Sequence, residues 1–126
     1  MSTRKILLVD DDAGVNYLNR FLLESAGIGA EIQVAQNGQE ALDILEKDGV
    51  CPDVIFLDVN MPVMDGFEFL QELKQRTALY NTARIYVITS SLRETDRETA
   101  LSFECVKGYL EKPLSEEMIN KIFAVS

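Results

Sequence analysis

Lys5-Ile6-Leu7-Leu8-Val9-Asp10-Asp11-Asp12 is the stretch that decides the fold. Consecutive apolar side chains without a polar break describe a short strand covered on both faces, as in the middle of a parallel sheet. Three carboxylates follow at once, and a helical period begins directly after them. Its stripe is Val15, Leu18, Phe21, Leu22 and Ala26, and it runs up to Gly27, a natural helix stop. Asp12 occupies the N-cap position of that helix. Asp10 and Asp11 have no such local duty, and adjacent ionised groups after a wholly apolar strand serve no packing purpose.

The same strand-then-helix unit recurs along the chain. Further strands are Glu31–Ala35, Val54–Leu57, Ile85–Ile88 and Gly108–Glu111. The third and fourth strands are nearly as apolar as the first, whereas the second and fifth alternate more, which suits sheet edges. Asn37 with Glu40 forms a capping box for a second helix that stops at Gly49. A third helix starts after Asp65-Gly66, runs to about Gln75 and buries Phe67, Leu70 and Leu73. A fourth covers Glu94 to Phe103, with Ala100, Leu101 and Phe103 toward the core. A fifth is capped by Ser115, carries Glu116 and Glu117 in its first turn and buries Met118, Ile119 and Ile122. Strict alternation with short connections implies an α/β domain, a parallel sheet with right-handed crossovers and helices on both faces. Ligands of such sheets sit beyond the carboxyl ends of the strands. The residues found there are Asp10-Asp11-Asp12, Asp58, Thr89-Ser90-Ser91 and Lys112-Pro113; Gln36-Asn37 read as turn and cap.

Composition narrows the function. The chain of 126 residues is one domain in length, and its net charge of −9 is concentrated in residues 1–66, which hold 12 acids against 4 bases. No basic patch offsets that charge, so nucleic acid is not an expected partner. No histidine is present, which excludes Ser-His-Asp and Cys-His catalysis, imidazole-bound zinc and donation of phosphate from the chain's own histidine. Cys51 and Cys105 form no Cys-x-x-Cys pair and read as reduced, partly buried thiols. No apolar run approaches the roughly 20 residues of a membrane span. Met1 to Lys5 lead into an apolar stretch too short for a secretory signal, so the expected location is cytoplasmic.

Carboxylates converging on one sheet edge repel one another unless a proton or a cation intervenes. Oxygen donors without a thiolate or imidazole select Mg²⁺ or Mn²⁺, and Mg²⁺ held by a pair of carboxylates points to phosphate chemistry. Thr89 then offers a hydroxyl donor and Lys112 a fixed cation for a phosphoryl group. Asp58 follows an apolar strand and caps nothing, while Asp53 and Asp65 read as turn and cap.

Four blocks carry a family resemblance: Ile6-Leu7-Leu8-Val9-Asp10-Asp11-Asp12, Leu57-Asp58-Val59-Asn60-Met61-Pro62-Val63-Met64-Asp65-Gly66, Val87-Ile88-Thr89-Ser90-Ser91 and Gly108-Tyr109-Leu110-Glu111-Lys112-Pro113. In order and spacing they resemble the signature blocks of response-regulator receiver domains, over about residues 4 to 124. The resemblance implies a flavodoxin-like, doubly wound, three-layer fold with five helices and strand order 2-1-3-4-5, as a single receiver domain over residues 1–126 without an output domain. It implies that Asp58 accepts a phosphoryl group and that Asp10 and Asp11 hold Mg²⁺ (or Mn²⁺) with Asp58 and the backbone carbonyl of Asn60. Lys112 would pair with Asp58 and then with the phosphoryl oxygens. Thr89 would donate its hydroxyl, helped by the backbone N–H of Ser90. Thr89 and Tyr109 would form the switch that alters the face of the fourth helix, fifth strand and fifth helix. Asn60 and Ser91 would tune the phosphoryl lifetime; neither is a strong base near neutral pH, so no special acceleration of hydrolysis is expected. The donor must be external, a histidine kinase or histidine phosphotransfer protein, and Asn16 and Tyr17 are candidates for recognising it. A phosphorylation-dependent homodimer is a further implied partner state, and no enzymatic activity beyond the domain's own phosphorylation and dephosphorylation. Glu104-Cys105 and Glu111 depart from the family's usual small or apolar residues.

Rival readings fit some of the same residues. Asp10-x-Asp12 with Thr89 or Ser90 and Lys112 also resembles a haloacid-dehalogenase-type phosphatase, although only Glu116-Glu117 could supply its last acidic pair and Asp58 would be idle. A receiver-like scaffold that works without phosphorylation is the non-enzymatic rival. Flavin binding lacks a phosphate-cradling loop after the first strand.

Overall fold

The computed structural model describes residues 4–48, 51–76, 83–90, 93–112 and 114–123. Apolar runs and amphipathic segments alternate in it as β1 (Arg4–Val9), α1 (Ala13–Ser25), β2 (Ala30–Ala35), α2 (Gly38–Asp48), β3 (Val54–Leu57), α3 (Gly66–Gln75), β4 (Arg84–Thr89), α4 (Glu94–Leu101), β5 (Val106–Glu111) and α5 (Glu116–Ile122). All strand pairings are parallel and the order is β2-β1-β3-β4-β5. This is the doubly wound arrangement the motifs implied. The chain leaves β1 toward β2 on one side and returns to β3 on the other, so the order reverses between β1 and β3. A crevice opens there at the strands' carboxyl ends.

Alternate side chains of each strand enter separate cores. Leu7, Val9, Ile55, Leu57, Ile85 and Val87 meet Leu42, Leu45, Phe69, Leu70, Leu73 and Ala100 of α2, α3 and α4. Ile6, Leu8, Val54, Phe56 and Ile88 meet Leu23 of α1, Ile119 of α5 and Phe123. Double coverage explains why β1 and β3 are apolar throughout, and β2 and β5 lie at the edges as expected.

The helix signals act where they were read. Asp12 caps α1 by accepting from the N–H groups of Gly14 and Val15, and α1 gives way to Gly27 in the left-handed region (φ 71°). Asp65 and Glu68 form a reciprocal capping box on α3, and Ser115 accepts from Met118 N–H on α5. On α2 the box is shifted: Asn37 accepts from Glu40 N–H, but Glu40 reaches back to Gln36 N–H. Gly49 lies outside the described residues.

Two helix faces differ from expectation. On α1 the buried residues are Asn16, Asn19 and Leu23, while Leu18 and Phe21 are 41% and 56% exposed. The helix is rolled by about one residue, because its first turns cover polar backbone at the end of β1 and need donors there more than methyl groups. Asn16 is therefore no recognition surface, whereas Tyr17 is exposed. On α4 only Ala100 is buried; the helix ends at Leu101, which is exposed, and Phe103 packs from the turn beyond. With little apolar surface of its own, α4 touches the core through a single side chain.

Candidate functional site

Val9 and Leu57 are register partners in the β1–β3 ladder, so the residues that follow them emerge side by side. The ladder continues past the strand ends: Asp58 N–H donates to Val9 C=O at 2.9 Å and Asp10 N–H donates to Ala35 C=O of β2 at 3.0 Å. Both side chains are buried, Asp10 at 5% and Asp58 at 4% exposure, and carboxylate oxygens of Asp10, Asp58 and the exposed Asp11 lie within 4.8 Å of one another. At that separation two full charges repel by about 3.5 kcal/mol with an effective dielectric of about 20.

Among the described residues, the Lys112 ammonium answers them. Lys112 N–H extends the β4–β5 ladder onto Thr89 C=O at 3.0 Å, and its long side chain returns over the strand ends. The ammonium lies 2.7 Å from Asp10 Oδ2 and 3.0 Å from Asp58 Oδ2. The family resemblance pairs it with Asp58; the shorter contact to Asp10 emerges only from the folded geometry. Burial pushes the Asp10 carboxyl above its ordinary range, opposed by hydrogen bonds from Lys112 and Asp12 N–H and reinforced by the Asp58 charge. Burial also works against the Lys112 charge, yet its bonds to Asp10 and Asp58 outweigh that and raise its pKa. The partners are unequal: Lys112 has two carboxylates, while Asp10 shares a single ammonium.

A raised folded-state pKa means that Asp10's contribution to stability is present below the ordinary carboxylate pKa and is lost as pH rises through the raised value. At neutral pH its ionised form is a net cost. Asp10→Asn ends the burial of an ionised carboxylate and its repulsion by Asp58, and gives up the hydrogen bond from Lys112, which stays with Asp58. In chelator at pH 7 the variant is expected to melt about 4 °C higher, a gain on the order of 1 kcal/mol. A lower melting temperature would show that the ion pair outweighs the repulsion.

The other sequence-predicted residues fall as follows. Thr89, at the end of β4, is wholly buried. Tyr109 of β5 is partly buried against the core shared with α2 and α3 and pairs in register with Val87. Asn60 is exposed, its N–H 3.4 Å from Asp58 Oδ1, and Ser90 is exposed beyond Thr89. Ser91 lies outside the described residues. Asp12 is engaged as a helix cap, which removes the second carboxylate of the phosphatase reading. Cys51 and Cys105 are free, and burial pushes the Cys105 thiol up, so it is a poor nucleophile.

Two contributors went unread in the sequence. Gly66 opens α3 directly under Asp58: a Cβ there would stand 2.5 Å from Asp58 C=O and 2.7 Å from Val59 Cα. Asn16 donates its amide to Asp10 C=O at 2.8 Å. The loop between Asp58 and Gly66 also holds Val63 at φ 69°, with Met64 N–H donating to Pro62 C=O at 2.8 Å, a strained γ-turn for a β-branched residue. Among the described residues no helix is long and apolar enough to cross a membrane.

The chain is similar to known proteins over nearly its whole length. A response regulator from Cytophaga hutchinsonii superposes with a TM-score of 0.87 at 30% identity, covering 98% of this chain and 96% of that one. The Mn²⁺-bound form of response regulator Rcp1 gives 0.79 at 28% identity, covering 94% and 88%. The alkaline phosphatase synthesis regulator PhoP of Bacillus subtilis is 32% identical over 93% of this chain, which spans 45% of that longer protein. The profile of the response regulator receiver domain matches residues 6–124. With the fold shared along nearly the whole chain and the domain matched from residue 6 to 124, the chain belongs to the receiver domains of two-component response regulators.

Proposed function

We propose that Asp58 accepts a phosphoryl group from a phosphohistidine donor in a reaction that requires a divalent cation. The observation that carries this reading is the buried Asp58 carboxylate, held 3.0 Å from Lys112 beside two further carboxylates. The donor set suits a hard cation: all oxygens, clustered within 4.8 Å, with histidine absent from the sequence. Asp10, Asp11, Asp58 and the Asn60 carbonyl would hold Mg²⁺ or Mn²⁺, which supplies charge neutralisation for the acceptor and the incoming phosphoryl oxygens.

The remaining steps belong to the chain's own groups. An Asp58 carboxylate oxygen forms a bond to phosphorus as the donor's N–P bond breaks, and the histidine leaves with the electron pair and takes up a proton. Lys112 transfers its hydrogen bond from the carboxylate to a phosphoryl oxygen, so positive charge is already aimed where negative charge arrives. The Thr89 hydroxyl and Ser90 N–H supply further donors. Movement of Thr89 toward the phosphoryl group and of Tyr109 into the space it leaves passes the change to the face formed by α4, β5 and α5. Asn60 influences how long the acyl phosphate survives. The protein turns over no separate substrate.

Incubation with acetyl phosphate and Mg²⁺, followed by intact mass, tests the reading: one phosphoryl group is expected with Mg²⁺ and none with chelator. Uptake that is indifferent to chelator would overturn it.

The donor protein docks on α1. Tyr17 and Phe21, 75% and 56% exposed and one helical turn apart on the helix that follows Asp10-Asp11-Asp12, present apolar surface that the fold leaves uncovered. Tyr17→Ala with Phe21→Ala is expected to slow transfer from a phosphorylated histidine donor about tenfold or more, the scale of losing anchor residues at an interface. Uptake from acetyl phosphate, which needs no docking, stays at the native rate. Equal slowing with both donors would place the defect in the site instead.

A further inference from the structure

Burying amides on the inner face of α1 is costly unless they are used. Asn16 and Asn19 are 4% and 5% exposed, and neither Oδ1 accepts a hydrogen bond from any described residue. Both line a cavity of about 10 Å³ that also touches Asp10, Asp58, Phe56 and Ile88. That is room for one water. A water has two O–H donors, and the two residues with orphaned acceptors line the same small space.

The other end of Asn16 is committed. Its amide N–H donates to Asp10 C=O at 2.8 Å, while Asp10 N–H is held by β2. The Asp10 carbonyl belongs to the planar peptide that leads into Asp11, so fixing its direction fixes how both carboxylates leave the strand end. Apolar residues at positions 16 and 19 would serve the packing of α1 equally well; amides serve only if something polar is to be held.

We infer that Asn16 is a positioning residue for the cation site and that it acts with Asn19 through one buried water donating to both side-chain oxygens. The inference rests on the reading of Asp10, Asp11 and Asp58 as cation ligands. The water pins the Asn16 amide plane, Asn16 pins the Asp10–Asp11 peptide, and that peptide presets the carboxylates before the cation arrives.

Two measurements test it. A high-resolution crystal structure is expected to show an ordered water within 2.6–3.2 Å of both Oδ1 atoms, a hydrogen-bond range; a dry cavity overturns the water. Calorimetric titration with Mg²⁺ alone, without a phosphodonor, tests the positioning. Asn16→Ala is expected to raise the dissociation constant about tenfold, the usual cost of losing a group that orients a ligand. Asn19→Ala keeps the Asn16–Asp10 bond and is expected to raise it about two- to threefold, which keeps the question open to measurement if Asn16→Ala fails to fold. A native chain that binds Mg²⁺, with variants that bind it equally well and merely melt lower, overturns the inference alone. A native chain that binds no Mg²⁺ overturns the reading of the site and this inference with it.

Discussion

Asp58→Ala is expected to take up no phosphoryl group from acetyl phosphate and Mg²⁺, under conditions where the native chain is expected to gain one by intact mass. The loss is complete because an acyl phosphate needs a carboxylate oxygen, and alanine offers none. It is also interpretable, because the fold is expected to survive. Lys112 keeps Asp10 at 2.7 Å, so no buried ammonium is stranded, and the repulsion between Asp10 and Asp58 disappears. The variant is therefore expected to melt no lower than the native chain. If it still gained a phosphoryl group, the acceptor would be another carboxylate, with Asp10 the first to examine, and the phosphatase-like reading would revive.

Gly66→Ala is expected to cost about 3 kcal/mol, roughly 12 °C in melting temperature for a chain of this size. The added Cβ would meet Asp58 C=O at 2.5 Å and Val59 Cα at 2.7 Å, and both are backbone, which no rotamer change can move aside. Gly66 N–H also donates to Val59 C=O at 3.1 Å, so relief by shifting α3 breaks that bond and loosens the capping box at Asp65 and Glu68. The displaced atoms belong to the main chain at Asp58 and Val59, beside the proposed acceptor carboxylate. Phosphoryl uptake should therefore fall even at temperatures where the variant stays folded. Circular dichroism melting with acetyl phosphate uptake at 10 °C checks both, and native-like stability would mean that α3 yields to a Cβ 2.5 Å from Asp58 C=O without loss.

The strand ends were readable because their signals are local. A parallel strand covered on both faces must be apolar throughout, so carboxylates at its end stand out against it, as at Asp10 and Asp58 after β1 and β3. The caps at Asp12, Asp65 and Ser115 were legible for the same reason: an N-cap bonds to N–H groups two or three residues away, and that relation is written into consecutive positions. The strand order rested on the family resemblance, since alternation alone does not say which strand lies beside which.

Helix faces obeyed a different rule. An apolar stripe on α1 predicted Leu18 and Phe21 inside, but a helix turns toward the sheet the face its partner requires, and here the partner includes the carbonyl of Asp10. Asn16 satisfies it and is drawn inward, leaving Tyr17 and Phe21 to the surface. Likewise the need for glycine at position 66 arises from a main chain eight residues upstream, and the closer contact of Lys112 is with a residue a hundred positions away. By itself the sequence determined the elements, their caps and the chemistry placed at each strand end, because these depend on neighbours along the chain. Which stripe of α1 faces inward, why Gly66 must lack a side chain, and how one ammonium is shared between two buried carboxylates were decided only by tertiary structure, because each depends on atoms that sequence distance does not bring together.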